Sequence, residues 1–584
     1  MALQFDNSFF YQNLNGIKVL VLVPHEDDEI NTCGSFLMML SQCGAEITLV
    51  FTTNGDWKYK ALTRMREARD SAKFLGVSED HIIFLGFGDS INNDAHDHIF
   101  YAVTEPAKST AGHIETYGTE LYPDYAYKTR GKHQAYLKSG FLEDLLSVIV
   151  EVKADLIICT DFDEHPDHRM LSLLFDEAIG IVCKNDDDYR PEVWKRFAYA
   201  LAYTAISDYS CINNPQTMRP DKDTTEKYAF DIVDTSIYSW ESRIRIPVMH
   251  CENENIRNSL YTKALSKHKS QRIITHADRI INSDEVYWKR RTDNLAFSAA
   301  VSVSSGNGTY LNDFMLFNVN DVDGLAPAFM NYYWHPEEAD AEKKVEFKWN
   351  EPQHIEQLVL YSSIDPESRI KELSVELGDG YTVSVKDIPN NGNPCVVDLG
   401  THDNITNCII KIISYEGDGY GLGECEFFST SVAKSHIKPF IKILSDDNFL
   451  YEYVIREDVR RVNLDLYRYG IETGEGSLEV MLGKAKLDGM QLIIDPSDKE
   501  IIVKCKTEDG KTWDQVFIKR VSENEYISLK NEAARDKAFL INERKKLKIH
   551  NMLYILTRQG PISVVKRTIR NVILPRLRKQ NHET

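Results

Sequence analysis

The stretch Ile17-Lys18-Val19-Leu20-Val21-Leu22-Val23-Pro24-His25-Glu26-Asp27-Asp28-Glu29 decides how the first half of the chain is read. Its apolar part is too short for a spanning helix, which needs about 20 residues. Its β-branched content reads as a strand. The text changes at once from apolar to densely polar after Val23. In sheets of alternating strands and helices, ligands bind beyond the carboxyl ends of the strands, so this polar run is the first place to look for chemistry.

Working outward, Glu46–Thr53, His81–Phe87, Asp155–Thr160 and Phe197–Ile206 also read as strands. Ile30–Cys43, Leu62–Leu75, Gly140–Val152 and Arg169–Cys183 carry apolar residues at helical spacing. The alternation predicts an α/β unit over residues 1–295, a Rossmann-like, mostly parallel sheet with helices on both faces. Residues 89–139 interrupt it with a loop holding Tyr101, Tyr117, Tyr122, Tyr125, Tyr127 and His133, read either as a substrate wall or as a packed surface excursion. Helical periodicity then fades, and runs such as Lys344–Trp349, Ile355–Ser362, Glu372–Leu377 and Cys408–Ile413 predict a β-sandwich over 296–432. A second β-rich unit is expected over 433–545, on Phe440–Leu444, Val462–Leu466, Leu478–Met481 and Ile501–Lys506.

Charge divides the chain differently. The 584 residues carry a net charge of −21, which argues against nucleic acid as a partner. From Arg544 onward there are 11 Lys or Arg against one acid, Glu583, so a tail of +10 follows a body of −31. Residues 546–584 are read as a basic amphipathic segment. Within 562–579, Ile562, Val565, Ile569, Val572, Ile573 and Leu577 recur at helical spacing among Lys and Arg. Such a helix lies on an anionic membrane or docks on its own acidic body. With no basic leader and ten cysteines lacking any CxxC spacing, the expected compartment is the cytoplasm, with peripheral contact at the inner membrane face.

The second polar run is Glu164-His165-Pro166-Asp167-His168, a few residues beyond the strand ending at Thr160. Taken singly, each run reads as well as a cap and turn cluster. Together they place an imidazole and a carboxylate from one loop beside an imidazole from another, an N/O set suited to Zn²⁺ with one position open for water. Spare carboxylates and a spare imidazole remain for proton transfer.

These two motifs resemble the paired signatures of the zinc-dependent PIG-L/LmbE-like N-acetylglucosaminyl de-N-acetylases, an [AP]HPDDE loop after the first strand and a later HPDH loop. The resemblance extends through Thr53-Asn54-Gly55-Asp56, Arg64-Met65-Arg66-Glu67 and Phe84-Leu85-Gly86-Phe87-Gly88-Asp89 to Ser266–Gln271, which looks like the family's closing helix. It implies His25, Asp28 and His168 as zinc ligands and Asp27 as general base. His165, steadied by Asp167, would be the electrostatic partner of the oxyanion. Arg64 and Asp89 fall at positions that contact the sugar or its aglycone, while helical spacing equally allows Arg64 to pair with Glu67. Glu26 departs from the family, which has Pro there; turned inward it would compete as a ligand or perturb Asp27.

A weaker resemblance, to discoidin or F5/8-type galactose-binding sandwiches, rests on Ser302–Ser305, Asn312-Asp313, Tyr333-Trp334, Lys344–Trp349 and Gly421–Phe427. The implied activity is a zinc-dependent hydrolase that removes acetyl from an N-acetylated amino sugar, lipid-linked or conjugated, with a glycan or glycoconjugate as partner. The alternatives are a carbohydrate-binding protein with a non-catalytic domain, and an amidase acting on a small thiol-sugar or antibiotic precursor.

Overall fold

The computed structural model describes residues 14–559, apart from 91–98, 162–164, 197, 199–242, 248–255, 281–283, 317–332, 364, 366, 391–393, 432–439, 446–447, 450–451, 470–475, 509 and 511–512. Strand β1 (Lys18–Val23) is fully buried from Val19 onward. Its pleat sends alternate side chains to opposite faces. Val19, Val21 and Val23 pack with Phe36, Leu37 and Met65, while Leu20 and Leu22 pack with Phe141, Leu145 and Leu174. Each such burial contributes about 1.5–3 kcal/mol, so β1 is anchored from both faces.

Beside it lie β2 (Glu46–Thr53), β3 (Ile82–Phe87), β4 (Leu156–Thr160) and β5 (Glu192–Arg196), all parallel. Two antiparallel strands that the periodicity did not announce, β6 (Arg243–Pro247) and β7 (Asp284–Arg290), complete the sheet in the order β3-β2-β1-β4-β5-β7-β6. The helices are α1 (Asp28–Gln42), α2 (Ala61–Ala72), α3 (Tyr125–Arg130), α4 (Lys138–Val152), α5 (Pro166–Asn185), α6 (Leu260–Leu265) and α7 (Ala277–Ile280). Almost all of the strand expected over Phe197–Ile206 falls outside the described residues. The chain winds from β1 out to β3 and then resumes on the other side with β4, so the reversal falls between β1 and β4. That is where doubly wound sheets bind ligands, and both polar motifs sit there.

In the tyrosine-rich loop, Tyr122, Tyr125 and Tyr136 are buried against the α/β core, while Tyr117 turns toward the strand ends. Of its other rings, Tyr101 is half-buried and Tyr127 and His133 are exposed, so packing accounts for only part of the loop.

The second unit is a single hydrogen-bonded path, β11 (Thr382–Lys386), β10 (Arg369–Leu377), β12 (Cys395–Glu416), β9 (Lys344–Ser362) and β13 (Leu422–Phe428), with β8 (Ala300–Val303) paired to β9. The two short strands read at Lys344–Trp349 and Ile355–Ser362 are one strand. Register shifts such as that between Asp398 and His402 break its ladder with β12, and such irregularities bend long strands. Trp334, Phe347, Leu360 and Phe427 are among its core residues.

Smaller sheets follow over 440–521, and the strand expected at Val462–Leu466 is split into Arg461–Asn463 and Asp465–Tyr469. The reading of residues up to 545 as β-rich is corrected at its end: from Glu523 the chain is helix α8 (Glu523–Gln559), which runs unbroken through 545. Its apolar residues do not gather into one stripe, which is why periodicity missed it. It docks on the α/β unit through Leu540, which joins that unit's core, and through an ion pair of Asp536 with Arg257 Nε at 2.7 Å. The basic run 562–579 lies outside the described residues. Among the described residues, no helix is long and apolar enough to cross a membrane.

Candidate metal centre

Asp27 is the N-cap of α1, yet its side chain makes no capping hydrogen bond and is left to the site. His165 caps α5, its Nδ1 accepting the amide of Asp167 at 3.2 Å, with Pro166 opening the helix. A neutral His165 therefore carries its proton on Nε2.

Three of the predicted residues converge. His25 Nδ1 lies 2.9 Å from Asp28 Oδ2, His168 Nε2 lies 3.1 Å from the same oxygen, and the two imidazole nitrogens are 3.3 Å apart. Ligands held tetrahedrally at about 2.0–2.1 Å from zinc stand about 3.3 Å from one another, so this donor set suits the ion in both type and spacing. His25, His165 and His168 also have ring nitrogens mutually within 4.8 Å, as do donor atoms of His25, Asp89 and Asp167.

The expected support of His165 by Asp167 is the weaker of that residue's contacts. Asp167 Oδ2 is 3.7 Å from His165 Nδ1 but 3.1 Å from His25 Nε2, and both its oxygens accept the amide of Ser90 at 3.0 and 3.2 Å. Asp167 thus orients His25, leaving Nδ1 of that ring for Asp28 and His168, an arrangement common behind metal-binding histidines. Burial pushes the Asp167 carboxyl up to about 6.

Arg64 does not pair with Glu67, which instead accepts from Ser270. Its Nη2 donates to Asp27 Oδ1 at 2.8 Å, and its Nε lies 3.5 Å from Glu26 Oε2. Glu26 is fully buried and turned inward, but toward Arg64 and not toward the three converging donors. Gly55, at φ +59°, leaves the room: a Cβ there would stand 2.4 Å from both Arg64 Nε and Glu26 Oε2.

Burial holds the Glu26 and Asp27 carboxyls above their usual range even though Arg64 opposes it. Burial would lower His25, but Asp89, Asp167 and Asp28 outweigh it and raise that ring well above its ordinary value. His165 moves the other way: burial, His25 and His168 push it well down, which favours the neutral imidazole. Asp28 opposes this for His165 without outweighing it.

Asp89 is buried, accepts the amide of Trp57 on Oδ2 at 3.3 Å, and donates its own amide to Asp56 Oδ1 at 2.9 Å. Sequence reasoning left without roles the fully buried pair His268 Nε2 and Glu29 Oε1, 2.8 Å apart behind Asp27, although both lie inside the quoted motifs. Ser266–Gln271 itself is a chain of turns after α6, not the closing helix expected of it.

Residues 20–179 match the family described as GlcNAc-PI de-N-acetylase (PIG-L), and residues 294–428 match a domain of unknown function, DUF7402. The N-terminal unit therefore carries a PIG-L domain. No curated protein matches. Among solved structures, N,N'-diacetylchitobiose deacetylase from Pyrococcus horikoshii aligns at 22% identity over 32% of this chain and 56% of its own, with a TM-score of 0.20. This chain thus spans little more than half of that protein. A deacetylase of the teicoplanin biosynthesis pathway aligns at 16% identity over 47% of this chain and 99% of its own, with a TM-score of 0.27. The family 32 carbohydrate-binding module of C. perfringens NanJ aligns at 13% identity over 23% of this chain and 94% of its own, with a TM-score of 0.17.

Proposed function

We propose that this protein is a zinc-dependent N-deacetylase that hydrolyses the acetamide of an N-acetylated amino sugar in a glycan or glycoconjugate and releases acetate. The observation that carries the reading is the convergence of His25, Asp28 and His168 within 3.3 Å, next to a carboxylate that no cap consumes. Zinc held by these three would supply Lewis acidity and a water of lowered pKa.

The remaining roles belong to the chain. Asp27 takes a proton from the attacking water and returns it to the departing amine, a transfer typically worth 10²- to 10⁴-fold. Arg64 holds the Asp27 carboxylate in place through the 2.8 Å bond to its Oδ1. His165, with Nδ1 engaged by the α5 amide, offers Nε2–H to the oxygen that gains charge when the carbonyl is attacked. Asp89 accepts from the sugar. Asp167 keeps the His25 ring in register.

Replacing Asp27 by Asn is expected to abolish acetate release while leaving one zinc bound, as read by metal analysis of the same preparation. Turnover retained in that variant would overturn the assigned role. Contact of 562–579 with an anionic membrane is a separate proposal, supported by the charge count alone.

A further inference from the structure

Helix α8 has two faces, and the fold covers one of them. Asp536, Leu540 and Glu543 are buried on that side, and Phe539 packs with Leu540 against the α/β core. The opposite side stays exposed. Ile541, Ile549 and Met552 recur at spacings of eight and three residues, which sets them on one side of a helix, and Ile527 lies on the same side fourteen residues earlier. Their exposures are 45%, 54%, 45% and 50%. Lys530, Lys537 and Lys545, each three or four residues from one of these, are exposed among them.

Charge is sorted between the two sides. From Ile527 to Leu553 there are three acids, and all belong to the docked side: Glu532 and Asp536 pair with Arg257, the latter at 2.7 Å, and Glu543 is buried. Arg535 and Lys546 draw on Glu532 and Glu543. Lys530, Lys537 and Lys545 have no carboxylate partner among the described residues. A second copy laid face to face would oppose lysine to lysine. A nucleic acid would use the lysines and leave the isoleucines without a role. An anionic bilayer takes both kinds of side chain: the apolar ones enter the boundary of the acyl chains, and the lysine stems lie along it with their ammonium groups among the headgroups.

We infer that the outward side of α8, with Ile541, Lys545, Ile549 and Met552 at its centre, is a contact surface for bilayers rich in anionic lipid. It rests on residues other than those of the basic tail and does not depend on the deacetylase reading. The helix has 37 residues and so runs about 55 Å. Its other side is fixed to the α/β unit, so contact along it holds that unit beside the lipid surface. The basic chain beyond α8 adds to the attraction, and stable attachment takes two such signals.

The test is partitioning of the full chain onto phosphatidylcholine vesicles with and without phosphatidylserine. Ile549→Asn combined with Met552→Gln leaves the charge and the tail untouched, and is expected to weaken partitioning onto the phosphatidylserine vesicles by about tenfold. Ile549→Leu combined with Met552→Leu should keep it. Lys530→Gln combined with Lys545→Gln should also weaken it by about tenfold and reduce its dependence on salt. Partitioning of the Asn/Gln variant within about twofold of the unsubstituted chain, at an unchanged melting temperature, would overturn the inference. Equal binding to both kinds of vesicle would do the same. Sedimentation without vesicles is expected to give one mass for all chains; a dimer that the Asn/Gln variant dissociates would assign this side of α8 to a second copy instead.

Discussion

Asp167 shows how one side chain changes meaning when its neighbours are known. In the sequence it sits between two histidines and two residues from the first, which suggests a partner for His165. In the fold, the first turn of α5 carries its carboxylate across to His25 Nε2, 3.1 Å away on the loop after β1. With its proton on Nε2, the imidazole leaves Nδ1 facing Asp28 and His168, as the proposed metal site requires. Groups in this position typically hold metal affinity up by 10- to 100-fold. Asp167→Ala is accordingly expected to lower zinc affinity by that factor in competition with a chelator of known strength. Unchanged affinity in a folded variant would remove the orienting role. Glu26 is a comparable case. A charge close to the metal loop is accommodated because Arg64 and the absent side chain of Gly55 give it a place.

At the scale of elements, α5 links the candidate metal centre to the second unit. Its first turn bears Asp167 and His168, and toward its other end Gly180 faces the carbonyl of Asp313, where a Cβ would come within 2.0 Å. Lys184 bonds Asn312 Oδ1 at 2.9 Å, and Phe314 and Met315 enter the α/β core. Across the same contact Arg290 pairs with Glu426 at 2.9 Å, and the Asp313 amide donates to Glu424. Burial pushes the Asp313 carboxyl up to about 7. The unfolded chain ionises it near 4, so between about pH 4 and pH 7 the folded protein binds the extra proton and stability falls as pH rises. Asp313→Asn is therefore expected to raise the melting temperature at pH 8, with the gain fading toward pH 4. A gain equal at both pH values would contradict the linkage.

The whole molecule joins an α/β unit, a β-rich unit that shares core and ion pairs with it, smaller sheets, and a long helix returning to the first unit. Helix α8 meets Arg257 and adds Leu540 to the core that also holds Tyr261 and Ile273, on either side of the turns at Ser266–Gln271. The chain beyond α8 is basic while the body is acidic, so the tail is the part able to meet an anionic surface without repulsion. In flotation at moderate salt, the full chain is expected to rise with vesicles rich in phosphatidylserine and not with phosphatidylcholine alone. A chain ending at Gln559 should lose that binding, and equal binding by both would exclude the tail.

Much of this could be read from the sequence by itself, because it depends on local order along the chain. Alternation of buried strands and amphipathic helices decided the parallel sheet, and a polar run after each of two strands decided where the histidines gather. The antiparallel strands β6 and β7 and the single helix over 523–559 were not legible, since their residues are specified by contacts with distant elements and leave no stripe of their own. Only the tertiary structure decided the direction of each carboxylate. Asp167 faces His25 and Arg64 faces Asp27 and Glu26 because side chains brought together from separate strands compete for the same few partners, and spacing within a motif carries no information about that competition.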